Sequence, residues 1–420
     1  MKRTTQKFLL LKLVILVSMG SRALAATYYV STTGNNNNTC TQAQSLSTPK
    51  RTIAAGISCM SGGDTLRVRG GSYSESIPDA VVIPPGNGSW AAATKIFPYA
   101  GETVVQNGGW IFNGSSESWI ILGDSSGTWI IDGAGGTSEM DGLFVWDSQV
   151  LTNRPHHIRW TNLEVKNWRR SGGAVGCLHP GVVDNLEIVN NTIHDCGVDQ
   201  YDHGIYASVG SNMLIADNHI YNVSGYGIHF YNFGTAGLTN AVIKNNRVHD
   251  TGQTPNTTSF GILAGNGSGH KVYNNIVYNN GGGIALDYGT PSQIKVWNNT
   301  VYNNNKYSSV GITVSSNCSS CEVKNNIAYG HTLGNIVDRS GGAILSTNLT
   351  ADPKFVDASG ANFRLQSASP AISAGIILAE VTSDIDGISR LGLPYDIGAH
   401  KYASGTIQVL PPSNLRITSP

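Results

Sequence analysis

The chain has 420 residues, 27 basic and 27 acidic, with 50 Gly and only 13% charged residues. That composition fits a turn-dense all-β protein and argues against a long-helix or disordered one. The first segment carries Lys2, Arg3, Lys7, Lys12 and Arg22 and no acid, so without residues 1–25 the balance is 22 basic against 27 acidic, a formal −5, which speaks against a nucleic-acid partner.

In chain order, residues 1–25 read as a secretory signal: a basic start, an apolar centre at Leu13–Val17 and the small-residue site Ala23-Leu24-Ala25. Lys12 interrupts the apolar run, and no later segment is long and apolar enough to span a membrane. A secreted or periplasmic location is therefore expected. Six cysteines in an exported chain point to disulfides. Cys40 with Cys59, Cys177 with Cys196, and Cys318 with Cys321 are nearest in sequence, though six cysteines allow fifteen connectivities.

Tyr28-Tyr29-Val30 opens the mature chain as a short strand. Ser47-Thr48-Pro49 has the hydroxyl cap and early Pro of a helix start. Ile53, Ile57 and Met60 then share one side of a short helix, and Thr65-Leu66-Arg67-Val68 reads as a strand. An amphipathic helix there would cover the open edge of a first coil. Residues 74–157 are less regular, with Trp119-Ile120-Ile121 and Trp129–Gly133 as early coils.

From Ile158 one phrase recurs. It reads Ile188-x-x-Asn191-x-Ile193, and returns around Asn218, Asn246, Asn275, Asn299 and Asn326, with a weaker first copy at Thr161; the steps are 30, 27, 28, 29, 24 and 27. A period in that range means a solenoid, whose units bury their apolar faces only by stacking. The repeated Asn predicts an internal amide ladder. Three residues further on stand His194, Tyr221, His249, Tyr278, Tyr302 and Tyr329, each followed by Asp, Asn or Gly. Because Tyr-Asn fills the same slot, His194-Asp195 and His249-Asp250 read as stacking residues rather than as catalytic pairs. A Gly-opened strand follows in each coil, for example Gly204-Ile205 and Gly227-Ile228.

Tyr28–Ser31, Pro49-x-x-Thr52-Ile53 and Gly63-Asp64-Thr65-Leu66-x-Val68-x-Gly70-Gly71-x-Tyr73 resemble the opening of secreted bacterial right-handed parallel β-helix proteins of the pectate-lyase-like superfamily. Asp352-Pro353-x-Phe355-Val356, Phe363-x-Leu365, Ser369-Pro370-Ala371, Asp384-x-Asp386-Gly387, Arg390 and Asp396-Ile397-Gly398-Ala399 resemble the closing segment of such proteins. The resemblance implies a right-handed β-helix over residues 26–400, with 401–420 a tail or linker. It leaves activity open among lyase, glycosidase, epimerase and non-catalytic binding protein.

Residues that break a repeating column carry the functional reading. On the Gly-opened strand the first outward column runs Val175, Tyr206, His229, Leu263, Ala285, Thr313, and the second Cys177, Ser208, Tyr231, Gly265, Asp287, Ser315. Tyr206, His229, Tyr231 and Asp287 stand out, with His203 and Asp202 just ahead of Tyr206. His179 reads as a loop residue. The expected chemistry is β-elimination from a uronate polysaccharide. His229 is the base because its ordinary pKa near 6.5 suits the task. Tyr231 or Tyr206 is the acid, and His203 lies beside them. Arg169, Arg170, Asp202 and Asp287 bind substrate. The same parts would serve C5 epimerisation. Hydrolysis would need Asp202 and Asp287 within about 6.5–9.5 Å for inversion. Without aligned titratable groups, the face would be a glycan-binding module. No metal motif stands out, although Asp199, Asp202 and Asp287 could offer oxygen ligands to calcium. The protein is expected to act as a monomer.

Overall fold

The computed structural model describes residues 25–404 except 113–116, 134–140, 146–153, 170–174, 232–236, 254–258, 308–309 and 393. The expected signal segment up to residue 24 and the expected tail from 405 therefore lie outside the described residues.

Apolar residues at alternate positions, separated by Asn and Gly corners, wind the chain into a parallel β-helix. Three long parallel sheets run its length. The first has twelve strands, from Thr27–Val30 to Ile344–Ser346; the second ten, from Gly71–Tyr73 to Ile327–Tyr329; the third nine, from Trp110–Phe112 to Gly334–Asp338. Each coil adds one strand to each sheet, so residues about one period apart in sequence become vertical neighbours. The tube is filled by stacked apolar side chains, with Trp110, Trp129 and Trp160 in its N-terminal half and Ile, Val and Leu beyond.

The Asn ladder occupies the corner between the first and second sheets. Asn191 donates from its backbone N–H and from Nδ2 to Asn218 Oδ1, both at 3.0 Å. Asn218 does the same to Asn246, and Asn246 to Asn275. The series continues through Asn299 and Asn326 to Asn348, one rung beyond the repeated phrase. Each amide also donates to a backbone carbonyl; Asn246 Nδ2 reaches Ile215 O at 2.9 Å. Asn246→Ala would leave the Asn218 backbone N–H without its acceptor and take one of the two bonds from Asn218 Nδ2. Buried unpaired groups cost about 1–3 kcal/mol each, so the expected loss is about 3 kcal/mol or more in a denaturant titration.

Left-handed backbone explains the small polar residues beside the ring column. Asp195, Asn222, Asp250, Asn279 and Asn303 have φ between 50° and 55°, and Gly330 has φ 82°. Asn, Asp and Gly tolerate this region best. The rings before them stack as expected: His194 on Tyr221 at 4.7 Å, Tyr221 on His249 at 5.3 Å, His249 on Tyr278 at 4.7 Å, with interplanar angles of 4°, 6° and 17°. His249→Tyr should keep the stack, leaving thermal stability within about 1 kcal/mol of the parent and activity unchanged in a product assay.

The helix Ile53–Ile57 packs on the first coil with Ile53 and Ile57 buried. Its cap differs from the sequence expectation. Thr52, not Ser47 or Thr48, accepts from Ala55 N–H, and the Glu75 carboxylate takes the N–H groups of Ile53 and Ala54. Lys50, which follows Pro49, instead bridges to Val30. All three disulfides join the cysteines nearest in sequence, Cys40–Cys59, Cys177–Cys196 and Cys318–Cys321.

The closing segment folds back along the outside. The hairpin Phe355–Asp357 with Asn362–Leu365 places Phe363 4.9 Å from the Tyr278 ring and 5.5 Å from Tyr302. Buried Arg390 donates to the carbonyls of Asp396, Gly398 and Ala399. Asp384, Asp386 and His400 come together there. Asp384 accepts the N–H groups of Asp386, Ile388 and Lys401, while Asp386 Oδ2 accepts from Arg364 and pairs with His400. Backbone and side-chain partners thus hold these carboxylates. Among the described residues no helix is long and apolar enough to cross a membrane.

Candidate active site on the third sheet

The Gly-Ile pairs mark the turn into the third sheet. A Cβ on Gly204 would meet Ile220, and one on Gly227 would meet Val248. Both residues of each pair therefore face the core, and the residue before the Gly projects outward. This puts His203 and Tyr226 on the outer flank, a column the alternation rule alone does not deliver.

Strand register then sets the second outward column. His179 pairs with Phe144 on one side, and Leu178 with Ile205 on the other; Tyr206 pairs with His229, and His229 with Leu263. His179, not Val175, is thus the neighbour of Tyr206, and their rings lie 4.9 Å apart. Cys177 is not an outward residue either, because it is buried in its bond to Cys196. The reading of His179 as a loop residue is corrected: it belongs to the strand Val175–Pro180.

Two histidine pairs result, and their hydrogen bonds give them opposite character. His179 Nδ1 lies 2.8 Å from Asp141 Oδ2. A carboxylate only accepts, so in the neutral ring the proton belongs on Nδ1 and Nε2 has the lone pair. In the second pair, Tyr226 N–H donates to His203 Nδ1 at 3.2 Å, which leaves the His203 proton on Nε2. That N–H faces His229 Nδ1 at 2.9 Å, so His229 carries its own proton on Nε2, an atom buried without a hydrogen-bond partner.

This corrects the expectation for His229. Its ring is 7% exposed and stacked between Tyr226 at 4.2 Å and Tyr231 at 5.4 Å. Burial pushes its pKa down to about 3, and burial with neighbouring His229 and His179 holds His203 well below its ordinary value. A neutral imidazole presenting N–H is a hydrogen-bond donor, not a base. His179 is half-buried and keeps the accepting nitrogen. Tyr206 sits among the three, 5.3 Å from both His203 and His229. Tyr231 and Tyr288, 5.4 Å apart, extend the flank toward solvent.

The acidic residues separate. Asp202 turns back into its own loop, where Oδ2 accepts from Val198 N–H and Asp199 N–H. Burial, offset by those bonds and reinforced by Asp199 and Asp141, raises its pKa to about 6. Asp287 accepts from Tyr288 N–H. Through the register Ile205–Ile228–Ile262–Ile284, the two acids lie three strands and six residues apart, roughly 20 Å or more, beyond any two-carboxylate hydrolytic geometry. Asp199, Asp202 and Asp287 consequently do not form a calcium site. Arg169 is exposed; it stands near Asp195 of the second sheet, whose pKa burial raises but bonds from His194 and Asn222, with a smaller contribution from the Arg169 charge, bring below its ordinary value; Arg170 lies outside the described residues.

A family model described as "Right handed beta helix region" matches residues 173–351. The chain has a right-handed parallel β-helix fold. Among solved structures, pectate lyase Pel9A is similar with a TM-score of 0.59 at 15% identity, covering 91% of this chain and 97% of that one. A glycoside hydrolase is similar at a TM-score of 0.50 and 10% identity, covering 82% and 99%. At such identities these likenesses establish the fold and leave the chemistry to the site. No curated protein matches the chain.

Proposed function

We propose that this β-helix acts outside the cytoplasm on an extended acidic polysaccharide and cleaves it by β-elimination along the third sheet, with His179 as the base. The observation that carries this reading is the Asp141–His179 pair, in which the carboxylate takes the Nδ1 side of the ring and leaves Nε2 free to accept at the partly exposed end of a ring-lined flank. A positioned base of this kind takes the proton at C5 of a uronate, and a phenol gives one to the departing oxygen at C4. Tyr206, beside His179, is the first choice for that phenol, and Tyr231 the second. His203 and His229 brace the Tyr206 side as a neutral hydrogen-bonded pair. Arg169, exposed where the chain leaves the second sheet, is assigned to the uronate carboxylate. The fold is also that of a pectate lyase, and the three disulfides suit an oxidising compartment.

The test is a panel of acidic and neutral polysaccharides incubated with the mature protein. Elimination gives new ends with an ultraviolet-absorbing double bond. Reducing ends without that absorbance would mean hydrolysis, and no new ends with any substrate would leave a binding protein.

A further inference from the structure

A second exposed site is marked by a broken column on the opposite side of the third sheet's turn. At the corner that leads into the first sheet, each coil from Asn185 to Ser320 places a small or polar residue in left-handed backbone. The register Ile121–Arg159–Glu187–Leu214–Val242–Lys271–Lys295–Glu322 aligns these corners. They are Asn185, Asn212, Asn240, Gly269, Gln293 and Ser320, with φ from 53° to 72°. The two coils before them carry Trp119 (φ 56°) and His157 (φ 52°) at the same place. Bulky rings there cost strain of order 1–3 kcal/mol each, which Asn would largely relieve.

Burial does not explain the choice, since both rings are only half-buried. They lie flat on each other, 3.9 Å apart at 16°. Trp90, arriving from a distant loop and also half-buried, stands at 72° to Trp119 and 62° to His157, with centroids 5.3 and 6.1 Å away. Arg159 places its guanidinium 4.2 Å from the Trp90 ring while its Nε holds Glu187 at 2.5 Å. His156 Nδ1 meets His157 Nδ1 at 2.8 Å. Flat apolar faces set at an angle, edged by imidazole, guanidinium and carboxylate, match a sugar ring: its C–H face stacks and its hydroxyls find donors and acceptors.

We propose that Trp90, Trp119 and His157, edged by Arg159 and Glu187, form a carbohydrate-binding subsite apart from the Asp141–His179 centre. Its ligand is a pyranose unit of a polysaccharide chain. The inference rests on the glycan reading above but on none of its chemistry. Ion pairing of Arg159 with Glu187 leaves no free charge demanded of the sugar, so the subsite holds on by stacking. It would anchor the polymer on the coils N-terminal to the reacting centre.

The experiment is affinity electrophoresis through native gels containing polygalacturonate, alginate, xylan or a mixed-linkage β-glucan, with thermal melting in parallel. Parent protein and His179→Ala are expected to be retarded alike by at least one of them. Trp90→Ala and Trp119→Asn should bind that glycan about tenfold more weakly. Trp119→Asn, which restores the residue found later in the column, should melt at or above the parent temperature. Retardation unchanged in both tryptophan variants, or no retardation of the parent in any gel, would overturn the subsite. Weakened binding together with no cleavage of any substrate would uphold the subsite while removing the lyase reading.

Discussion

His179→Ala should lower the rate of unsaturated-product formation by about 10²–10⁴-fold, the usual contribution of a positioned acid–base group. The melting temperature should stay near the parent value, because among the described residues the half-buried ring hydrogen-bonds only to Asp141. Asp141→Asn should be impaired in the same direction. An amide can donate as well as accept, so it no longer forces the imidazole proton onto Nδ1. His229→Ala is expected to be the milder change in rate and the more severe in stability. It empties the space between Tyr226 and Tyr231 and leaves the His203 N–H without its acceptor. Rate measurements on the three variants, each checked by melting, decide the assignment. A His179→Ala enzyme within tenfold of the parent, beside a folded and inactive His229→Ala enzyme, would return the base to His229.

Acid should unfold this protein well above the pH where carboxylates alone would. Burial pushes His270 down to about 4 and His229 to about 3, and holds His203 well below its ordinary value. In the unfolded chain each titrates near 6.5. Below pH 6.5 the unfolded state therefore takes up protons that the native state refuses, and stability falls as pH falls. By pH 4.5 His270 and His229 each account for roughly 2–3 kcal/mol at 1.36 kcal/mol per pH unit, and His203 acts in the same direction. Asp202 works the other way. Its pKa of about 6 lies above the ordinary carboxylate value, so below pH 6 the native state binds a proton first and regains about 2 kcal/mol. Across His270, His229 and Asp202 alone the loss is roughly 3 kcal/mol between pH 7 and 4.5, a sizeable part of ordinary stability. Melting followed by circular dichroism should show a fall of about 4 °C or more over that range. In His270→Gln the acid limb should be shallower by about one proton. A flat profile from pH 7 to 4.5 would show that these imidazoles are open to water.

The solenoid was readable because its cause is written in a repeated phrase. One Asn per coil satisfies the same corner each time, and a side chain that bonds its own equivalent leaves a fixed spacing in the sequence. The ring column was readable for the same reason: stacking demands only flatness, so His and Tyr exchange freely. The candidate site was half readable. Tyr206 and His229 pair as the repeat implied. His179 was missed because its strand lacks the Gly-Ile signature. The outward column that opens at Val175 is therefore four residues out of register, because His179 stands in that place. Asp141 carries no repeat signal at all, and its role appears only once His179 is on the strand. The protonation pattern of His203 and His229 depends on one backbone N–H from Tyr226, which spacing cannot reveal.

The amide spine separates what must stay from what can vary. From the ladder residues Asn191, Asn218, Asn246, Asn275 and Asn299 to the third-sheet isoleucines Ile205, Ile228, Ile262, Ile284 and Ile312 the distance is 14, 10, 16, 9 and 13 residues. The corner itself never changes length. Insertions and deletions are thus absorbed by the turns that border the ring-lined flank, where each alters the rim of the groove without disturbing the winding. A lineage built on such a spine can trade one polymer for another by small changes in loop size, keeping its scaffold intact throughout.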